Sequence, residues 1–301
     1  MKDESVCDAH RFIGAAAAHC DVPFGGTRRA LHPSSFLLHP SSACYPPRTL
    51  KLPRPLLPFL GIAAGVAAWQ VATVLHPHSL VPGPGAAIRA VGELAVKGLL
   101  LKYVVASLFR VTWGYLAALV LAVPIGVTLG LWSKGEMALN PILQLLRPIS
   151  PLAWIPIAIL WFGVGDTSAI FLIFLASFLP LTLTALGAVR DIEPVHLAAG
   201  TNFGLTRARL VRDVVLPAIL PQLIVGMRIT LGIAWLVVVA AEMIAVNSGL
   251  GFLIVDARNA GNRYDLVLAG MLLIGAIGVL LDFAMRRLER LDGVRWGYVT
   301  E

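Results

Sequence analysis

The sequence predicts an all-α integral membrane protein with six transmembrane helices, and three observations carry that prediction. Of its 301 residues, 57% are hydrophobic and only 14% charged, against about 45–50% and about 25% in soluble domains. Mean hydropathy is +0.80. The apolar residues gather in runs, each about the twenty residues that a helix needs to cross a hydrocarbon core, and the polar joints between them are too short to cover a soluble core. Short alternating strands, the mark of a transmembrane β-barrel, are not visible.

Residues 1–50 stand apart as a candidate unit: Pro, Ser and His are frequent, and the LHPSS at 31–35 recurs at 38–42. Such a stretch buries little, so a disordered tail, or upstream DNA translated from a start codon set too early, is expected. Acids in MKDESV and the short apolar FIGAAAA argue against a secretory signal. The remainder, 51–301, opens with a first span at 56–75. Pro82 and Gly85 then turn the chain into a short helix, 86–97, which lies along the outer interface or simply connects. The second span is 111–132. The third, 137–164, is interrupted by Arg147, Pro148, Pro151 and Pro156 and predicts a broken or kinked helix. The fourth, fifth and sixth spans are 167–189, 223–241 and 266–281. Before the sixth, AVNSGLGFLIVDARNAGNRYD places Gly249 and Gly251 ahead of an apolar patch, which predicts a loop dipping back toward the membrane. Trp69, Trp132, Trp161 and Trp296 fall near span ends, as interfacial anchors do.

The net charge of +7 reports topology here rather than nucleic acid. With a cytoplasmic N-terminus, the inner segments carry Arg48, Lys51, Arg54, Lys134, Arg190, Arg207, Arg209, Arg212, Arg286, Arg287, Arg290 and Arg295. The outer ones carry only Arg89, Lys97, Lys102, Arg258 and Arg263. That bias puts both termini of a multi-pass membrane protein in the cytoplasm. Cys7, Cys20 and Cys44 precede the first span on the reducing side, so no disulfide framework is expected. Cys7, His10, His19 and Cys20 match no zinc spacing. Neither a metal nor another cofactor is expected.

Between the fourth and fifth spans lies AAGTNFGLTRARLVRDVVLPAILP, residues 198–221, within a cytoplasmic loop at 191–221. Pro194 suits a helix's first turn, Gly204 the left-handed residue that ends it, and Thr206 the cap of the next. Two short helices follow, the second over 207–216 and stopping at Pro217. It sets Leu210, Val211, Val214 and Val215 on one side and Arg207, Arg209 and Arg212 elsewhere. The first helix is small-sided at Ala198, Ala199 and Gly200, which lets another backbone approach. On the residues alone, a spacer holding two spans in register and a docking site fit equally well.

Gly204, nine residues, Val214, one residue, then Leu216 and Pro217 resembles the cytoplasmic EAA loop of binding-protein-dependent ABC transporter permeases. LRPISPLAWIPIAILWFGVGD and GMRITLGIAWLVVVAAEMI resemble the branch that imports nitrate, sulfonates and taurine. The resemblance runs from about 56 to 296. It implies a MetI-like fold, a coupling helix fitting a groove on an ATPase subunit dimer, a second permease copy, and a periplasmic or lipid-anchored solute-binding protein. The coupling residues it implies are Ala198, Ala199, Gly200, Gly204, Leu205, Arg207, Arg209, Val214, Leu216 and Pro217. The family's glutamate falls at Ala198, so the acidic contact is absent and docking rests on shape and on the arginines.

Ionisable groups inside spans default to function: Arg110, Arg147, Arg228, Glu242 and Asp282 qualify. Arg110 and Arg228 are expected to snorkel to headgroups of the surrounding lipid. Arg147, Arg228 and Glu242 are the candidates for a translocation path or gate, Glu242 through a pair with an arginine across the gate. Pro124, Pro148, Pro151, Pro156 and Pro180 permit bending, and Gly126, Gly130, Gly226 and Gly232 allow close sliding. A phosphate-binding glycine loop, H-E-x-x-H and Gly-x-Ser-x-Gly are all missing, so ATP binds on another subunit and the chain is a transport subunit rather than an enzyme. The rival reading is a secondary transporter or channel for small ions, which calls for a midplane ion site or an inverted repeat.

Overall fold

A computed structural model describes residues 56–76, 81–259 and 261–289. The expected N-terminal tail, the three cysteines and Trp296 lie outside them. Every regular element among the described residues is helical. The first apolar run forms α1 (Leu56–Leu75), with the predicted bounds. α2 (Pro84–Val96) opens on a proline, whose missing N–H is not needed in a first turn. α3 (Leu99–Leu131) begins well before the predicted 111 and draws Lys102 and Arg110 into the helix.

The interrupted run is broken as expected. α4 (Ser133–Leu146) ends at Arg147, a 3-10 turn spans Pro151–Trp154, and α5 (Ile155–Phe162) leaves at 86° to α4. α6 (Asp166–Arg190) follows, then α7 (Pro194–Asn202), α8 (Arg207–Leu210), α9 (Leu216–Ala245), α10 (Leu250–Asn259) and α11 (Tyr264–Glu289). Among the described residues, four helices are long and apolar enough to cross a membrane, or five when the bent pair is one span. The sixth span rests on α1, a shorter apolar helix over its described side chains, Phe59–Leu75.

The core is α3 against α6 against α9. Lipid gives helices no hydrophobic reason to associate, so contact depends on close packing. α3 supplies it with Gly114, Ala118, Ala122, Gly126 and Gly130, one small residue per turn toward α6. A Cβ added at Gly126 would sit 2.6 Å from the Thr182 carbonyl, and one at Gly114 2.8 Å from the Ile170 carbonyl. Gly226 on α9 likewise faces Thr184. Gly232, expected to act the same way, meets no neighbour.

At one end of this core lies a buried charge cluster. Arg110, 1% exposed, donates through Nη1 to Glu242 Oε1 at 2.6 Å and to the Ser248 carbonyl at 2.9 Å. Its Nε and Nη2 donate to Asp166 Oδ1 at 2.9 and 2.7 Å, and Nη2 also meets the Ser248 hydroxyl. Glu242, 0% exposed, accepts on Oε2 from the Ser107 hydroxyl at 2.9 Å and from the Gly251 N–H at 3.0 Å. Ser107 in turn accepts the Leu250 N–H at 3.0 Å.

Two expectations change here. Arg110 does not snorkel, because the buried Glu242 and the more exposed Asp166 both meet it within the fold. Glu242 pairs with an arginine, as anticipated, but within the packed core rather than in an opening. The same contacts explain the loop after α9. A side chain at Gly249, whose φ is +106°, would collide with the Glu242 carboxylate, and one at Gly251 with the Val239 carbonyl, so two glycines let the chain fold over that group and continue as α10. A second clasp joins α2 to the start of α11, where Arg263 bridges Glu93 and Asp265, each at 2.7 Å. Arg263 and Lys97 hold the Glu93 carboxyl down at about 2. Its folded-state value is depressed, so any stabilisation from this clasp is present above the ordinary carboxylate range and is lost as pH falls toward about 2.

Glu242→Ala leaves Arg110 short of a buried partner, and breaking such a pair costs about 3–5 kcal/mol. The variant is expected to melt well below the wild type in detergent, with part of the loss recovered when Arg110→Met is added. Gly126→Val is expected to overpack the α3–α6 contact by about 1–3 kcal/mol, read as a lower Tm in the same assay.

Candidate functional site

The loop from 191 to 221 folds as a knob fixed to the bundle. Pro194 starts α7 as expected. The helix ends in a Schellman arrangement: Leu205 N–H donates to the Gly200 carbonyl at 3.2 Å and Gly204 N–H to the Thr201 carbonyl at 3.0 Å. Gly204 takes the left-handed conformation this requires, φ +77°. Thr206 occupies the position before α8, but its side chain makes no capping bond. Gly200 is buried, and what approaches it is the side chain of Leu210, with Leu205 and Val214 behind, rather than a second backbone.

The predicted stop at Pro217 does not occur. Val211–Val215 form a π-turn in which Leu216 N–H reaches the Val211 carbonyl. That shift of register places Pro217 in the first turn of α9, where no N–H is needed, so the chain stays helical from Arg207 to Ala245 over 39 residues. Val215 and Ile219 are buried against Val127 of α3 and Val189 of α6, which anchors the knob. Gln222 Nε2 donates to Asp191 Oδ2 at 3.0 Å across its base.

On the outer surface of the knob stand Ala198, Ala199, Gly204, Arg207, Arg209, Leu216 and Pro217, all exposed, with Leu205 and Val214 half-buried. Beside Gly204, Phe203 is 87% exposed. Sequence reasoning passed over this residue; a large aromatic immediately before the helix-ending glycine of a polar loop was the available signal.

A second feature lies at the break between α4 and α5. A cavity of about 550 Å³ is lined by Arg147, Ile149 and Pro151 from the break, Thr184 of α6, and Gly226 and Thr230 of α9. Thr184 and Thr230 donate to the Pro180 and Gly226 carbonyls of their own helices at 2.8 and 2.9 Å. Arg147 is the one ionised side chain among these lining residues. Of the three residues expected in a path or gate, it alone reaches this cavity. Arg228 faces α11 instead, donating to Asp282 at 2.6 Å and to Glu289 at 3.3 Å, so it is ion-paired rather than snorkelling. Glu242 stays in the buried cluster. Among the described residues, no group of three His, Cys, Asp or Glu side chains is placed to hold a metal ion.

Residues 111–291 match the family described as binding-protein-dependent transport system inner membrane component. The taurine transport system permease protein TauC of Escherichia coli is 37% identical over 230 residues, covering 74% of this chain and 82% of TauC. The bicarbonate transport system permease protein CmpB of Synechococcus elongatus is 34% identical over 253 residues, covering 80% and 90%. Among solved structures, a chain of the inward-facing MetNI methionine ABC transporter aligns with a TM-score of 0.57 at 22% identity, covering 64% of this chain and 95% of that one. A chain of a bacterial alginate ABC transporter aligns at 0.52 and 16% identity, covering 79% and 95%. The structural matches speak for the helical architecture, the sequence matches for descent, and together they establish that this chain belongs to the inner-membrane permeases of binding-protein-dependent ABC transport systems and has their MetI-like fold.

Proposed function

We propose that the chain is the membrane path of an ATP-driven importer for a small anion such as nitrate, a sulfonate or taurine. Its loop 191–221 docks on an ATPase subunit dimer. A second copy of the chain completes the path, and a periplasmic or lipid-anchored binding protein delivers the solute. The observation that carries this reading is the knob itself, an exposed Phe203 and a left-handed Gly204 held at the end of an uninterrupted helical run. A loop that only linked two spans would not need its base fixed to the bundle by buried Val215 and Ile219.

Docking here relies on burial of Phe203 with Arg207 and Arg209 beside it, since Ala198 supplies no carboxylate. Closure of the ATPase pair then moves the knob, and α9 carries the displacement into the core without a flexible joint. The excess of Arg and Lys around this loop favours the orientation with both termini in the cytoplasm. The anion class rests on the relatives for taurine and bicarbonate and on Arg147 in the cavity.

In the complex reconstituted with its ATPase and binding protein, Phe203→Cys is expected to crosslink to the ATPase subunit. Phe203→Ala is expected to weaken ATPase association by about 2 kcal/mol, roughly thirtyfold, as loss of an aromatic anchor does. A cysteine at 203 that reacts with impermeant thiol reagents from the periplasmic side, and never with the ATPase, would overturn the reading.

A further inference from the structure

Three arginines sit among the apolar helices, and their surroundings divide them. Arg110 and Arg228 each meet two carboxylates from other helices. Arg147 pairs with no carboxylate among the described residues. A charge at membrane depth costs about 2.5–3.5 kcal/mol even on insertion scales. The carbonyls ending α4, where Arg147 is the cap, return about 0.3–1 kcal/mol to a cation. The difference calls for water or a counter-ion in the cavity.

α4 is also an unusual helix for a membrane span. At 3.6 residues per turn, Ser133, Met137, Asn140, Gln144 and Arg147 fall on one face, while Leu139, Ile142 and Leu145 fall on the others. A second cavity, about 480 Å³, runs along that face, lined by Ser133, Asn140 and Gln144 and by Glu136 and Arg190, which neutralise each other as an ion pair. The Asn140 side-chain carbonyl is buried with no hydrogen-bond partner among the described residues. A half-turn of that carboxamide exchanges the unpaired acceptor for an N–H donor. Gln144 in this cavity and Arg147 in the first are one turn apart, about 4.5 Å along the axis.

We propose that this face of α4 is the inner half of the solute path, an anion relay. Arg147 receives the acidic oxygens of the solute, and the carboxamides of Gln144 and Asn140 pass them on toward the helix start beside Arg190. The relay rests on the importer reading and on its orientation. The 14 residues of α4 rise about 21 Å, so an α4 that enters upright from the inner surface carries Arg147 well into a core about 30 Å thick. One charged site followed by neutral donors suits conduction, which needs binding strong enough to admit an ion and weak enough to release it.

The test uses the full complex with Cys7, Cys20 and Cys44 replaced by serine and a single cysteine at Asn140, Gln144 or Leu145. Each is treated with anionic sulfonatoethyl methanethiosulfonate and, separately, with its cationic trimethylammonioethyl counterpart. Asn140→Cys and Gln144→Cys are expected to react about tenfold or more faster than Leu145→Cys, and to prefer the anionic reagent by about tenfold. Adding Arg147→Gln is expected to remove that preference, and Arg147→Lys to keep it. Equal rates at Gln144 and Leu145, or a charge preference indifferent to Arg147, would overturn the relay. The Phe203→Cys crosslink is scored in parallel on a separate single-cysteine preparation of the same complex: an intact crosslink with an inert α4 face overturns the relay alone, and a missing crosslink overturns the importer reading.

Discussion

The arrangement of this bundle depends on how one buried guanidinium is satisfied. Arg110 is buried, and an ionised group so enclosed must find its partners within the fold. It finds Glu242 on α9, Asp166 at the start of α6 and the Ser248 backbone ahead of α10. A single side chain on α3 therefore fixes three other segments, and Glu242 extends the network to Ser107 and to the Gly251 N–H. Gly249 against this carboxylate and Gly251 against the Val239 carbonyl are what allow the chain to close over it.

α9 joins that cluster to the opposite end of the molecule. From Arg207 to Ala245 the chain is helical for 39 residues, about 58 Å. The π-turn at Val211–Val215 admits Pro217 without a break. A kink at that proline would have separated the knob from the bundle, and motion at Phe203 would be absorbed locally. With the register shifted instead, the helix runs unbroken from the knob along α9 to its contacts with α6, where Gly226 meets Thr184, and on to Glu242. Glycine contacts of this kind hold helices at a short separation without interlocking side chains, which suits a core with two alternative packings.

Much of this was legible in the sequence where a feature is local. The bounds of α1, the break after Arg147, the proline at the start of α7 and the left-handed Gly204 each follow from a few neighbouring residues. The sequence also fixes charge bias, which bears on orientation. What escaped depends on residues distant along the chain. Arg110 and Lys102 made the start of α3 look polar, because hydropathy cannot register that Asp166 and Glu242 neutralise Arg110 from elsewhere in the chain. The stop at Pro217 failed because the missing N–H is compensated by a change in helix register, and no single residue type signals that change. Phe203 was passed over because its exposure follows from the orientation of the whole loop.

The arginines suggest how a membrane protein separates structural charge from working charge. A carboxylate from the same fold locks a guanidinium in place, with a geometry that leaves little for a passing anion; Arg228, held between Asp282 and Glu289 on α11, is spoken for in this sense. An arginine without such a partner retains its field, and the helix break beside Arg147 gives that field a cavity in which to act. The proline-rich segment after α4 then has two effects from one cause. It bends the span by 86° and it leaves the end of α4 facing open space rather than a packed neighbour. A straight helix over the same residues would have buried Arg147 against α6 or lipid and demanded a carboxylate there, so the break is what permits a cation at this depth to remain available.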